Sequence, residues 1–150
     1  NILLNHWDFA EMRVLDLFGG TGSHSYEFLS RGCRDVTYVD KFPACVAFAR
    51  KTAAELEMNN FIRIVRADVF RFMAQPQAPY DYIFAGPPYP LPNIPEIPDL
   101  VFQYNLLKPG GWLVLEHNPN HDFSEHPRFW QVRNYGKTIF SFFSPAEPEG

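Results

Sequence analysis

Cysteine is scarce in this chain, with two in 150 residues, Cys33 and Cys45. They are far apart, in stretches that read as a helix end and a helix. No disulfide framework is available, and the thiols read as reduced and cytoplasmic. No apolar run is long enough to cross a bilayer and no signal-peptide pattern is seen, which points away from a membrane role. Positive charge is also short: 13 Lys and Arg stand against 17 Asp and Glu, a net charge of −4. A broad nucleic-acid surface needs Lys and Arg to neutralise phosphates, so the balance argues against one while leaving a local basic patch open. Apolar residues are not lacking. A hydrophobic fraction of 46% and an aromatic fraction of 17% suit a packed core and one domain spanning residues 1–150. The sequence opens on Asn1, mid-pattern, with ILLNHW, and an N-terminal arm is expected to precede it.

Strand and helix patterns alternate along the chain. MRVLDLF (Met12–Phe18) is a short apolar run ending at glycines and predicts a buried parallel strand. Ser23 to Arg31 predicts a helix closed by Gly32. DVTYVD (Asp35–Asp40) is a second strand, and Pro43–Met58 a helix with proline at its start. Its apolar face is read from Val46, Ala47, Ala53, Ala54 and Leu56, and Asn59–Asn60 ends it. FIRIVRAD (Phe61–Asp68) predicts a third strand, VFRFMAQ a short helix and YDYIFAG a fourth strand. Pro95 to Leu107 reads as loop and helix, LKPGG as a turn and WLVLEH (Trp112–His117) as a fifth strand. Such alternation with short connections is a doubly wound, Rossmann-like α/β sheet with parallel strands. RFWQVRNYGKTIFSFF, split at Asn134, Tyr135 and Gly136, predicts a closing antiparallel hairpin. SPAEPEG reads as a frayed end.

Chemistry concentrates at the ends of the expected strands. DLFGGTGSH joins the first strand to the first helix, where glycines let backbone approach a ligand and helix amides face it. Read as G-x-G-x-x-G from Gly20, the third glycine position holds Ser25, so the dinucleotide fingerprint is incomplete. Asp40 closes the second strand, where a carboxylate suits ribose hydroxyls, and Asp68 closes the third. Either acid also suits a helix cap, Asp68 especially. Together they outline an adenosine pocket across three strand ends. The fourth strand runs into FAGPPYP, Phe84 to Pro90. Two prolines remove N–H donors, leaving carbonyls that suit a hydrogen-bond donor such as an exocyclic amine, and Tyr89 offers a flat face to a base. A rigid loop with a packed tyrosine is the plainer alternative.

DLFGGTG, Asp40, Asp68, GPPY and LKPGGWLVLE follow the order found in S-adenosylmethionine-dependent methyltransferases. More closely, the chain resembles the RsmD family, which methylates the exocyclic N2 of a guanine in 16S ribosomal RNA. The family pattern V-L-D-L-F-x-G-[ST]-G matches Val14 to Gly22, L-S-R-G matches Leu29 to Gly32, and the closing Y-G-x-T matches Tyr135 to Thr138. The resemblance runs from about Asn1 to Phe143. It implies a seven-stranded sheet and an N-terminal arm carrying an Arg-Pro-Thr segment, ahead of a helix that ILLNHW ends. It implies that Asp16 and the Gly19–Gly22 loop, with Gly19, Gly20 and Gly22, hold the methionine end of S-adenosylmethionine. Asp40 takes the ribose, Phe42 is near the adenine, Asp68 and Val69 contact it, and Phe18 and Lys41 also belong to the cofactor-binding set. The implied partner is 16S rRNA in the small ribosomal subunit or an assembly intermediate, met by a cytoplasmic monomer.

One position departs from the family. Asp or Asn precedes its PPY, with an oxygen that accepts from the amine, and here Gly86 has no side chain. Either the carbonyls of Gly86 and Pro87 suffice, or a neighbour substitutes, or the domain binds cofactor without catalysis. Glu116 is the candidate neighbour, because the fourth and fifth strands should be adjacent. The rest of the pattern favours retained transfer, with Gly86, Pro87, Pro88, Tyr89 and Glu116 as the catalytic set. Related chemistry on an adenine N6 or a protein amide uses similar turns, whereas an NAD dehydrogenase would explain only the glycine loop and Asp40. His117, His121 and His126 read as polar loop histidines, not metal ligands, with Pro119 between the first two. Phe123, Phe129 and Trp130 read as core residues.

Overall fold

A computed structural model describes residues 8–145. The helix end expected at ILLNHW and the last five residues of SPAEPEG lie outside the described residues. After a short 3-10 turn at Phe9–Glu11, the elements are β1 (Val14–Leu17), α1 (Ser23–Ser30), β2 (Val36–Asp40), α2 (Pro43–Glu55), β3 (Ile62–Arg66) and α3 (Val69–Met73). They continue with β4 (Tyr80–Ala85), α4 (Glu96–Gln103), β5 (Leu107–His117), β6 (Phe129–Tyr135) and β7 (Thr138–Phe143). All seven strands join one sheet in the order β3-β2-β1-β4-β5-β7-β6. β1 to β5 are parallel, and β7 inserts antiparallel between β5 and β6. This is the doubly wound sheet with a closing hairpin that the sequence implies. Strand order reverses between β1 and β4, the switch point beyond whose carboxyl ends ligands bind in sheets of this kind.

Side-chain alternation divides the core between the two faces of the sheet. Leu15, Leu17, Ile83, Ala85, Leu113 and Leu115 point to one face, against Val69, Phe72 and Met73 of α3 and Ile97 and Val101 of α4. Val14, Tyr82, Phe84, Trp112 and Val114 point to the other, where α1 brings Phe28 and Leu29. Both faces of β1 and β2 are covered, and every residue in them is buried. Their near-continuous apolar runs follow from that.

Three local expectations are corrected. The helix α2 ends at Glu55, three residues short of Met58. Glu57 takes a left-handed φ of 56°, while its N–H bonds Ala54 O and the Met58 N–H bonds Ala53 O. That closure terminates the helix before the asparagines. Its buried face is Val46, Ala49 and Ala53, and Ala47, Ala54 and Leu56 face outward. Tyr38 of β2 sets that choice by packing on Val46 and Ala49. Finally, LKPGG is not a turn but the first part of β5. Tyr80 pairs with Leu107 and Tyr82 with Trp112, so the intervening residues of β5 bulge out of the ladder, with Gly110 at φ 81°.

Candidate active site

The glycine loop is folded back onto β2. Gly19 N–H donates to Val39 O at 3.0 Å and Gly22 N–H to Gly19 O at 2.8 Å. Gly20 N–H donates to Asp40 Oδ2 at 2.9 Å, and the Tyr38 hydroxyl donates to Gly20 O at 2.5 Å. A Cβ on Gly19 would lie 2.2 Å from the Tyr38 ring, so only glycine lets the loop come this close. At Gly20 a Cβ would meet nothing nearer than 3.9 Å, so the outer side of the loop is open backbone.

Three acids sit at or near the carboxyl ends of β1, β2 and β3, and none is in an ion pair among the described residues. Asp16 is 1% exposed and accepts from Ser25 Oγ at 2.7 Å, tying β1 to the first turn of α1. Burial pushes its carboxyl up to about 7. Asp40 accepts from Gly20 N–H on one oxygen and from Phe42 N–H, at 2.9 Å, on the other. Each oxygen keeps a further acceptor site. Asp68 caps α3 by accepting from Arg71 N–H at 3.1 Å, and Val69 is buried behind it. Phe42 is 52% exposed, with Lys41 Nζ 5.4 Å from its ring centre. Open backbone, unpaired acids and an exposed ring suit a ligand that brings hydroxyl donors, a planar base and positive charge.

The GPPY turn starts beside the end of β1, where the glycine loop begins, since Gly86 N–H donates to Leu17 O at 3.2 Å. Pro87 is buried and Pro88 exposed. Tyr89 is held by its hydroxyl, which donates to Glu116 Oε2 at 3.0 Å. Glu116 reaches the turn because β4 and β5 pair in register, Ala85 opposite Leu115. Its Oε1 lies 3.6 Å from where a Cβ on Gly86 would stand. On the other side, Phe84 Cε2 lies 3.0 Å from that point. The His24 ring stacks on Phe84 with centroids 3.8 Å apart.

A family model described as Conserved hypothetical protein 95, the RsmD family, matches residues 1–144. The chain belongs to this family. Ribosomal RNA small subunit methyltransferase D of Escherichia coli (strain K12) is 30% identical over 107 residues, covering 71% of this chain and 50% of that protein. Its Buchnera aphidicola counterpart is 26% identical over 125 residues, covering 83% and 63%. The chain thus spans about half to two thirds of the length of these relatives. Among solved structures, a Haemophilus influenzae chain superposes with a TM-score of 0.85 at 22% identity, covering 98% of this chain and 93% of that one. An RNA methyltransferase from Salinibacter ruber, solved with S-adenosyl-L-homocysteine, gives 0.74 at 16% identity, covering 99% and 91%. These likenesses establish the Rossmann-like methyltransferase fold.

Within this family member, the residues singled out by sequence fall into two adjoining groups. Asp16, Phe18, Gly19, Gly20, Gly22, Asp40, Lys41, Phe42, Asp68 and Val69 surround the ends of β1 to β3. Gly86, Pro87, Pro88, Tyr89 and Glu116 surround the ends of β4 and β5. Asp16 and Val69 are buried behind the surface rather than on it. One residue has little signal in the sequence. Thr138 comes near the Tyr89 hydroxyl from β7, and the Y-G-x-T match held its only signal. His24, whose place after the glycine loop suits either a cofactor contact or simply the first helical turn, lies between Phe84 and the Tyr82 hydroxyl, 3.1 Å from its Nε2. Burial lowers the His24 pKa to about 4, so it is neutral near pH 7. The histidines discounted as loop residues differ among themselves. His117 ends β5, is buried, and hydrogen-bonds Ser141 Oγ at 2.7 Å. His126 meets Asp99 at 2.8 Å. Of the three aromatics assigned to the core, Phe123 is there and Phe129 packs against it, whereas Trp130 is 46% exposed.

Proposed function

We propose that this chain transfers a methyl group from S-adenosylmethionine to ribosomal RNA, at the exocyclic N2 of a guanine in 16S rRNA. The observation that carries the reading is that the glycine loop and the GPPY turn leave the carboxyl ends of the paired strands β1 and β4, which the Gly86–Leu17 hydrogen bond joins. The donor set fits the cofactor. The Gly19–Gly22 backbone would hold its methionine end, Asp40 its ribose, and Phe42 with Asp68 its adenine. Bound there, the cofactor supplies an activated methyl group. The protein's contribution is placement: holding an amine at attack distance and accepting its hydrogen bonds as positive charge develops. Gly86 and Pro87 offer carbonyls for that purpose, Pro88 withholds a competing donor, and Tyr89 borders the entry. The base must leave its stack to arrive. The names of the relatives, which specify ribosomal RNA of the small subunit, support the substrate class. The chain is proposed to act as a cytoplasmic monomer on the small subunit or its assembly intermediate.

Calorimetry with S-adenosylmethionine and with NAD tests the cofactor, and only the former is expected to bind. Unmethylated small subunits incubated with labelled cofactor test the reaction, with nucleoside mass spectrometry to name the base. Cofactor binding without label in RNA would refute the reading.

A further inference from the structure

Residue 86 lacks the acceptor that the GPPY turn would otherwise carry, yet the space it would fill is not empty of acceptors. Gly86 and Glu116 lie on the same face of neighbouring strands, because Ala85 pairs with Leu115 and the next residue on each points the other way. Glu116 Oε1 stands 3.6 Å from the missing Cβ, within the reach of a short carboxylate or amide side chain built there. The carboxylate is fixed in that place. Tyr89 donates to Oε2 at 3.0 Å. Tyr89 uses one acceptor site of about four on the group. Oε1 has no hydrogen-bond partner among the described residues.

The geometry points to Glu116 as the catalytic acceptor for the target amine, and as the residue that selects guanine, with Tyr89 as its positioning residue. This rests on the methyl-transfer reading above. Guanine presents N1–H and N2–H side by side, two donors against the two oxygens of a carboxylate. Adenine presents a donor beside a ring-nitrogen lone pair, which a carboxylate repels. A site built for paired donors discriminates strongly, because a mismatched edge leaves a polar group unpaired. In the reaction, the guanine N2 forms its bond to the methyl as the donor's S–CH3 bond breaks and that electron pair stays on sulfur. The surplus proton on nitrogen passes to Glu116 and on to water.

The position also explains why residue 86 is glycine. An aspartate there would set a second carboxylate beside Glu116 and press on Phe84, whose Cε2 lies 3.0 Å from the Cβ position. The two acceptors are alternatives, and the chain carries one of them.

The test uses the whole chain as wild type, Glu116→Gln, Glu116→Ala, Gly86→Asp and the Gly86→Asp/Glu116→Ala pair. Calorimetry with S-adenosylhomocysteine is expected to give wild-type affinity throughout, which shows that each variant is folded. Saturation-transfer NMR with guanosine, inosine and adenosine monophosphates reads recognition without cofactor. Wild type is expected to prefer guanosine over inosine, which lacks the N2 amine, and Glu116→Ala to lose that preference. Transfer to unmethylated small subunits should fall by about 100-fold in Glu116→Ala. Glu116→Gln should lose preference for guanosine over adenosine monophosphate. Gly86→Asp alone should also lose transfer, and the pair should recover at least about tenfold over Glu116→Ala. Wild-type transfer by Glu116→Ala, or a rate raised by Gly86→Asp alone, would overturn the assignment. Wild-type protein that binds cofactor and moves no methyl would instead overturn the proposed function, and this inference with it.

Discussion

Substituting Gly19 by alanine tests how the cofactor loop is held. The added Cβ would stand 2.2 Å from Tyr38 Cε2 and 2.3 Å from Cδ2, where ordinary contact needs about 3.5–4 Å. Something must therefore move by more than about 1 Å. Tyr38 cannot give way easily, being fully buried against Val46 and Ala49. Overpacking of this kind costs about 1–3 kcal/mol. Losing the Tyr38–Gly20 hydrogen bond, 2.5 Å in the native loop, adds about 1 kcal/mol. The sum is about 2–4 kcal/mol, which for a domain of this size lowers the melting temperature by roughly 5–15 °C. Thermal unfolding by circular dichroism measures it, and calorimetry should show a parallel loss of cofactor affinity. Gly20→Ala is the control: its Cβ meets open space and only the φ of 56° is strained, at about 1–2 kcal/mol. The Tyr38 ring is the stated cause, so the cost of Gly19→Ala should shrink below about 1 kcal/mol in a Tyr38→Ala background. An equal cost in both backgrounds would refute the steric account.

Three further outcomes are expected. Asp16 titrates at about 7 in the folded chain against 3.8 ordinarily. Between those values the native state holds a proton that the unfolded chain has released, so this contribution is full below about pH 4 and lost as pH rises to about 7, at up to about 1.4 kcal/mol per unit. Urea unfolding across that range should show the slope in wild type and a flattened one in Asp16→Asn; an unchanged slope would exonerate Asp16. Asp40→Ala leaves the Gly20 and Phe42 amides without their 2.9 Å acceptor and should weaken cofactor binding at least about tenfold, measured by calorimetry, with Asp40→Asn intermediate. Glu57→Gly relieves a left-handed residue at the end of α2 and should raise stability by about 1 kcal/mol, or roughly 2–4 °C. A lower melting temperature would show that the Glu57 side chain earns its strained place.

Sequence alone determined the order of the elements, the glycine loop, the acids at the strand ends and the proline turn. Each depends on neighbours in the chain: apolar runs of strand length, glycines where φ is positive, prolines that remove donors. Local patterns were weaker where a partner makes the choice. The buried face of α2 turns on Tyr38, because alanines allow several faces and the ring from β2 selects one. LKPGG has turn composition, but pairing of Leu107 with Tyr80 draws it into β5 as a bulge. Asp16 sits in a ligand motif and yet is buried, because its strand is covered on both faces. Tertiary structure alone decided what stands beside Gly86. The adjacency of β4 and β5 was expected, but the distance from Glu116 to the turn depends on register and side-chain direction. Thr138 comes close to Tyr89, 49 positions earlier in the sequence, only because β7 inserts next to β5. Sequence marks a missing acceptor at residue 86, and the pairing of strands distant in the chain places another within reach of the same point.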